Sequence, residues 1–569
     1  MSLLLAVAVA VHLPWLAMEL PLDSSKAGFH IFFASQYLHH WFNPWNVKWY
    51  AGFSQTTFPP LAQQWVALFA RVIGLDFAYM AVQMIAIMLL VLGVYRFSRL
   101  WVSPRAASLA ALAGVFLGSE SLLVYSAGRL AMSFAAAVYL NALPFLYGWV
   151  RRGGWRSFLK AAALLTVAAA AHYGTLVFGS LFFALPVLVL ASFDREWGPR
   201  VSAGAFLSRT IAIAVFAGAL IGIVLLPFWI ALIHNPVSQT PIPHPSHANY
   251  VLNPRWGLTY FVVPYGALIL ALPFVFFRGA AVARLRPLFF GFWIAFLIGL
   301  GGTTPVGPAL LGRAYDFASV ERFTYWATLL ALPFAGALAQ ELIARFRSPA
   351  VIGLTLLAVF SCGLAVTWTI YAPNEPQDFQ VKTVAEWLNR SGHDQYRYFT
   401  LGFGNKISRL AVLTDADSID GNWNSGRTLP ELVQYGGGPL TDSKDYGEPG
   451  LDALRAMLKD ADRYGVKWVF VRDHSYDPLL YFSGWQAVDS VDLNTIVVWT
   501  KDGVPPATPI NSPLKPPAWQ GLMWGIFPFG SSLVAILLLL IPEKKRRSAS
   551  QVEPVLAREE NPIFGRLVS

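Results

Sequence analysis

The chain of 569 residues is 56% hydrophobic and 15% aromatic, and only 13% of it is charged. Soluble domains carry about a quarter charged residues, so a single water-soluble globule is excluded and a polytopic membrane protein is indicated. The net charge of +10 does not mark a nucleic-acid binder, because the basic residues lie in short segments between apolar runs; the single cysteine, Cys362, leaves no intramolecular disulfide, cysteine zinc site or dithiol redox pair.

The first run apolar enough to cross roughly 30 Å of hydrocarbon is 2–20. It lacks the basic leader of a secretory signal and reads as a retained span. The loop that follows, 21–76, is rich in His, Trp and Pro. Within it, Asp23-Ser24-Ser25 ahead of Phe29, Phe32, Phe33 and Tyr37 predicts an interfacial helix that starts at Asp23. Seven residues make nearly two helical turns, so Asp23 and His30 would share a face about 10 Å apart, with Lys26 near the same stripe. The pattern is equally met if Asp23 merely caps the helix or pairs with Lys26 while His30 anchors at the headgroups. Residues 60–74 are apolar but short and contain Gln63, Gln64 and Arg71, which predicts a helix packed at the interface rather than a span.

Further spans are expected near 77–95, 106–125, 131–149, 157–172, 175–192, 210–233, 258–277, 287–301, 325–344, 350–371 and 521–541, which makes about twelve in all. Alternate connections carry Arg96/Arg99/Arg105, Arg151/Arg152/Arg156/Lys160, Arg195/Arg200/Arg209, Arg278/Arg284/Arg286, Arg345/Arg347 and Lys544-Lys545-Arg546-Arg547. By the positive-inside rule both termini are cytoplasmic, and 21–76, 235–257, 302–324 and 372–520 face outside. Residues 372–520 hold more than half of the acidic residues. Their β-rich runs at 396–401, 466–472 and 495–500 alternate with helical spacing through Val381/Val384/Leu388 and Leu451/Leu454/Leu458, which predicts an extracytoplasmic α/β domain. Gly436-Gly437-Gly438 is followed by no Lys-Ser/Thr and reads as a turn, not a phosphate loop. The expected organisation is a membrane domain over 1–371, the α/β domain over 372–520, a final helix over 521–541 after the Pro505–Pro517 linker, and a basic cytoplasmic tail over 542–569.

Ionisable residues collect at the outer span ends: Glu120, Arg129, His172, Arg313 and Arg322. Charges at such positions are binding candidates by default. Each has a plainer role open to it: Arg322 pairing with Glu321, Arg313 with Asp316, and Arg129 snorkelling to the headgroups. His39-His40, His244 and His247 lie outside but lack the spacing and carboxylates of a metal site, so no metal is expected; a divalent ion between Asp23 and Glu120 is the alternative.

The succession Asp23, His30, Pro44-Trp45, Gly52 and Phe58-Pro59-Pro60-Leu61, followed by Ala171-His172-Tyr173 and Glu321-Arg322-Phe323, resembles bacterial GT-C membrane glycosyltransferases. It is most similar to the multi-pass family labelled 6-pyruvoyl-tetrahydropterin-synthase-related, a label that implies no pterin chemistry. The chain departs from that family's pattern at Asn43, Asn46, Lys48 and Phe58, and the Arg of its Pro-Arg-Trp element is missing. The resemblance implies a bacterial cytoplasmic-membrane enzyme that moves a sugar, with inversion, from a polyprenyl-phosphate donor to a glycan, lipid or protein acceptor at the outer face. In it Asp23 would be the base, and His30, His172, Arg322, Arg313 and Arg129 would bind substrate, Arg being suited to phosphate by its planar fork. Two other classes remain open on the sequence: a transporter or lipid flippase, which would call for mid-span charges or repeated halves, and a non-catalytic envelope assembly factor.

Overall fold

The computed structural model describes residues 1–195, 200–234, 244–373, 379–510, 512 and 514–542. The expected basic run Lys544–Arg547 and the loop stretch 235–243 lie outside them. Among the described residues nine helices are long and apolar enough to cross a membrane: Leu75–Ser98, Pro104–Ser126, Leu130–Arg152, Tyr173–Phe193, Ala203–Val224, Pro254–Ala281, Glu321–Phe346, Ser348–Tyr371 and Ala518–Leu540. Three more expected spans are shorter helices, Ser2–Ala17, Trp155–Ala171 and Arg286–Gly299, of 16, 17 and 14 residues. The reason is local. Pro287 and Pro14 sit at or inside helix ends, and the chain turns at Gly153-Gly154 and His172 on either side of Trp155–Ala171. That helix is rich in alanine and buried along its second half, so it packs closely against Leu130–Arg152.

Residues 60–74 form the helix Leu61–Ile73. It is strongly two-sided: Gln63 and Gln64 are fully buried while Val72 is 86% exposed. The Gln64 amide nitrogen donates to the Trp524 carbonyl at 2.9 Å, which fastens the helix to the last span.

The helix expected to start at Asp23 begins later. Asp23 ends a short 3-10 turn, Leu20–Asp23, the chain is extended at Ser24, and the helix runs Ala27–His39. The backbone N–H groups of Ser25 and Lys26 explain this, because they donate to the carbonyls of Ser126 and Ala127, each at 3.1 Å, instead of joining a helix. Asp23 and His30 therefore do not share a helical face. Farther along the loop, β1 (Trp45–Asn46) and β2 (Phe53–Ser54) form a small antiparallel hairpin. Gly52 is required there: its φ is +122°, and a Cβ would stand 2.4 Å from the Trp45 indole.

Residues 379–510 build a four-stranded sheet of β3 (Arg397–Leu401), β4 (Val466–Val471), β5 (Gln486–Val491) and β6 (Ile496–Thr500) in the order β3-β4-β6-β5. β3 and β4 are parallel and the other pairings antiparallel. The amphipathic helices Val381–Leu388 and Gly447–Lys459 cover it with Val384, Leu388, Leu454 and Leu458. This α/β unit sits on the first loop. Trp423 meets the Phe58 ring edge-on at 5.1 Å and donates from its indole to the Thr57 hydroxyl, and Arg409 grips Asp76 through two hydrogen bonds of 2.5 Å.

Candidate functional site

The segment Asp23–Lys26 is pinned from two sides. Toward the membrane helices it lies against the π-helical turn Leu122–Ser126 and the residues after it. Gly128 makes this approach possible, since its φ is +63° and a Cβ would fall 2.2 Å from the Ser24 hydroxyl. Toward the α/β unit, Lys26 Nζ donates to the Asn405 side-chain oxygen at 2.7 Å and the Asn405 amide donates to the Ser25 hydroxyl at 3.1 Å. Asp23 itself is exposed and lines a cavity of about 170 Å³ with Tyr125, Ser126, Thr369 and Pro373.

Arg129 follows Gly128 and caps the helix Leu130–Arg152. Its guanidinium pairs with Glu321 and donates to the Ser319 hydroxyl at 3.2 Å. It is thus an ion-pair partner rather than a snorkelling residue. Glu321 Oε2 also lies 3.8 Å from His244 Nδ1. Because Glu321 is committed to Arg129, the neighbouring Arg322 does not form the pair that adjacency in sequence suggests. Its Nε is buried and has no hydrogen-bond partner among the described residues. That is a costly state for a guanidinium unless an anion completes it.

His172 stands within electrostatic reach of both arginines and of His30. Burial, with the charges of Arg322, Arg129 and His30 adding to it, pushes His172 down to about 3. Its Nδ1 accepts from the Thr175 backbone N–H at 3.1 Å, so the neutral ring carries its proton on Nε2 and is a donor there. His30 is likewise pushed down to about 3, by burial and then by Lys26. Gln63 fixes its tautomer: the amide oxygen accepts from His30 Nδ1 at 2.8 Å while the amide nitrogen donates to the carbonyls of Pro59 and Pro60 at 3.2 Å. Phe58-Pro59-Pro60 therefore serves to orient His30. Its own pattern in the sequence did not disclose this, although two glutamines inside an apolar helix were the available signal.

The structure thus brings Arg129, Arg322, His172 and His30 together beside the Asp23 segment, and adds Glu321, His244, Gln63 and Lys26. It does not bring in Arg313, which is exposed on the turn Gly312–Phe317 and makes no ion pair with Asp316 among the described residues. Glu120 is 1% exposed and accepts from the Ser133 hydroxyl at 2.6 Å, within the helix bundle, whereas Asp23 faces solvent. The two do not form a common ion site, and no group of three His, Cys, Asp or Glu placed to hold a metal occurs among the described residues.

No protein-family model matches the sequence, and no curated protein matches it either. Solved structures do match. ArnT from Cupriavidus metallidurans bound to undecaprenyl phosphate superposes with a TM-score of 0.53 at 14% identity, over 90% of this chain and 99% of ArnT. The chain shares its overall fold with that protein. The mycobacterial arabinofuranosyltransferase AftD matches with a TM-score of 0.51 at 15% identity over 89% of this chain, which spans only 40% of AftD's length. The apo oligosaccharyltransferase of Archaeoglobus fulgidus matches with a TM-score of 0.50 at 12% identity, over 83% of this chain and 70% of that one.

Proposed function

We propose that this chain is an inverting glycosyltransferase that moves a sugar from a polyprenyl-phosphate donor to an acceptor at the outer face of a bacterial cytoplasmic membrane. The observation that carries this reading is the buried Nε of Arg322, which has no hydrogen-bond partner among the described residues, set beside Arg129 and the N–H donor of His172 at the helix ends below the Asp23 segment. Such a group of donors suits a phosphate entering with its lipid from the bilayer. The GT-C fold, shared with a protein seen with undecaprenyl phosphate, supports it.

In the reaction, the acceptor oxygen attacks the anomeric carbon, the bond from that carbon to the phosphate oxygen breaks, and the lipid phosphate leaves with the electron pair. Asp23 takes the acceptor proton. Arg322 and His172 Nε2–H stabilise the charge that grows on the phosphate, an interaction strengthened by the low-dielectric surroundings. Asp23 is exposed without substrate, so the desolvation that raises a carboxylate's basicity comes with substrate binding rather than from the α/β unit. No metal is part of this scheme.

The orientation we propose has twelve spans and both termini cytoplasmic. His172 lies near Arg129, at the far end of Leu130–Arg152 from Gly153, so Trp155–Ala171 returns across the whole bundle. Likewise Asn249 pairs with Gly301, which sets the two ends of Arg286–Gly299 on opposite sides. The basic connections then share one face and the α/β unit the other, in keeping with the positive-inside rule.

The test is donor turnover by the purified protein in lipid, on a panel of polyprenyl-phosphate sugars with cell-envelope extract as acceptor. The wild type releases polyprenyl phosphate from at least one donor, and Asp23→Asn lowers the rate by about 10²–10⁴-fold with donor binding kept. Equal rates in the two proteins remove Asp23 as the base; no turnover from any donor removes the transferase reading.

A further inference from the structure

A second cavity, of about 360 Å³, opens in the α/β unit. It lies where β3 and β4 end: Gly402 and Gly404 follow β3, Arg472 and Asp473 follow β4, and because the two strands are parallel both chains leave the sheet at one edge. The space beyond the carboxyl ends of parallel strands is where open α/β sheets take their ligands, and the volume suits one or two sugar rings.

The lining decides the ligand class. Three carboxylates, Asp442, Asp445 and Asp473, face two cations, Lys444 and Arg472. Both cations are already engaged: Lys444 pairs with Asp473, and Arg472 donates to the Gly402 carbonyl at 3.4 Å and lies over the Phe379 ring. The surplus is negative, which repels a phosphate and provides oxygen acceptors for hydroxyl groups. The remaining polar wall is Thr441, Asn405 and Tyr476, each already hydrogen-bonded within the protein. Asn405 is also the residue that holds Ser25 and Lys26, two and three positions from Asp23. A ligand in this cavity therefore touches the residue that positions the Asp23 segment.

We propose that this cavity binds a neutral glycan, the acceptor side of the reaction, and that Asp445 is its main open hydroxyl acceptor. The acceptor role rests on the transferase reading above; the carbohydrate site does not.

The test is saturation-transfer NMR on the full chain in nanodiscs, with neutral hexose and pentose disaccharides as probes and uronic-acid disaccharides as anionic controls. Asp445 is exposed, so Asp445→Asn and Asp445→Lys leave the fold intact. Neutral probes are expected to give a signal in the wild type that falls about tenfold or more in Asp445→Lys, less in Asp445→Asn, and not at all in Arg322→Gln, while the anionic probes give none. Absence of any neutral signal, an unchanged signal in Asp445→Lys, or preference for the anions overturns the site. Donor turnover in the same preparation separates the two readings. Turnover without disaccharide binding removes this cavity alone, and binding without turnover keeps a carbohydrate site and removes the acceptor role.

Discussion

The group at the helix ends and the cavity at the sheet edge are both polar, yet they are built oppositely. Around Arg322 the arginines and the neutral His172 are half-buried, the neutral His30 is buried, and the one carboxylate close by, Glu321, is taken by Arg129. Around Asp445 the site is open, carboxylates outnumber cations, and the cations are already engaged within the protein. The first arrangement favours a dianion arriving from lipid, and the second favours hydroxyl groups arriving from water. Between them runs Asp23–Lys26, bonded to Ser126 and Ala127 on one side and to Asn405 on the other. Under the proposed function, charge placement, more than shape, is what distinguishes the ligands of the two sides.

The contrast is broken most severely by moving the segment that joins the two regions. Gly128→Ala forces a Cβ into the space of Ser24, and misplacing reacting groups by about 1 Å costs on the order of 10²-fold in rate. Steady-state turnover in lipid is expected to fall by about that factor, with disaccharide binding at the sheet edge kept. An unchanged rate would show that the segment is not held where it must act.

A pH series sharpens the helix-end side. His30 and His172 stand near 3 in the folded chain, below their ordinary 6.5. As the pH falls below 6.5 the unfolded chain takes up protons that the folded chain does not. Stability is therefore complete above pH 6.5 and declines toward pH 3 by about 1.4 kcal/mol per pH unit for each histidine. Unfolding in denaturant between pH 7.5 and 4.5 measures this. A flat profile through that range would mean that the rings are not buried neutral.

The smallest effect is expected at the rim. Arg409→Ala removes the bidentate pair with Asp76, whose two side chains are each about a third exposed. Solvent screening limits the loss to about 1 kcal/mol or less. The same denaturant series reads it, and a loss several times larger would make this pair, rather than the Trp423 and Asn405 contacts, the main tie between the two units.

Much of this was legible in sequence for identifiable reasons. Long apolar runs disclosed the nine long helices, and short runs rich in β-forming residues disclosed β3, β4 and β6. β5 escaped because Gln486–Val491 is an exposed strand with no apolar face to mark it. Asp23, His30, His172, Arg129 and Arg322 stood out as charges at the ends of apolar runs. Their partners did not, since Glu321 pairs with Arg129 across 192 positions and Lys26 meets Asn405 across 379. The start of the first loop helix was misplaced for the same reason. The N–H groups of Ser25 and Lys26 are claimed by carbonyls about a hundred residues away, which no local pattern records.

The most direct test of the account is the affinity of the chain in nanodiscs for polyprenyl phosphate alone, measured for the wild type, Arg322→Gln and Asp23→Asn. The account predicts binding to the wild type, a loss of about tenfold or more in Arg322→Gln, and little change in Asp23→Asn. Equal affinity in the wild type and Arg322→Gln, or no binding to either, would contradict the claim that the group at the helix ends holds the lipid phosphate.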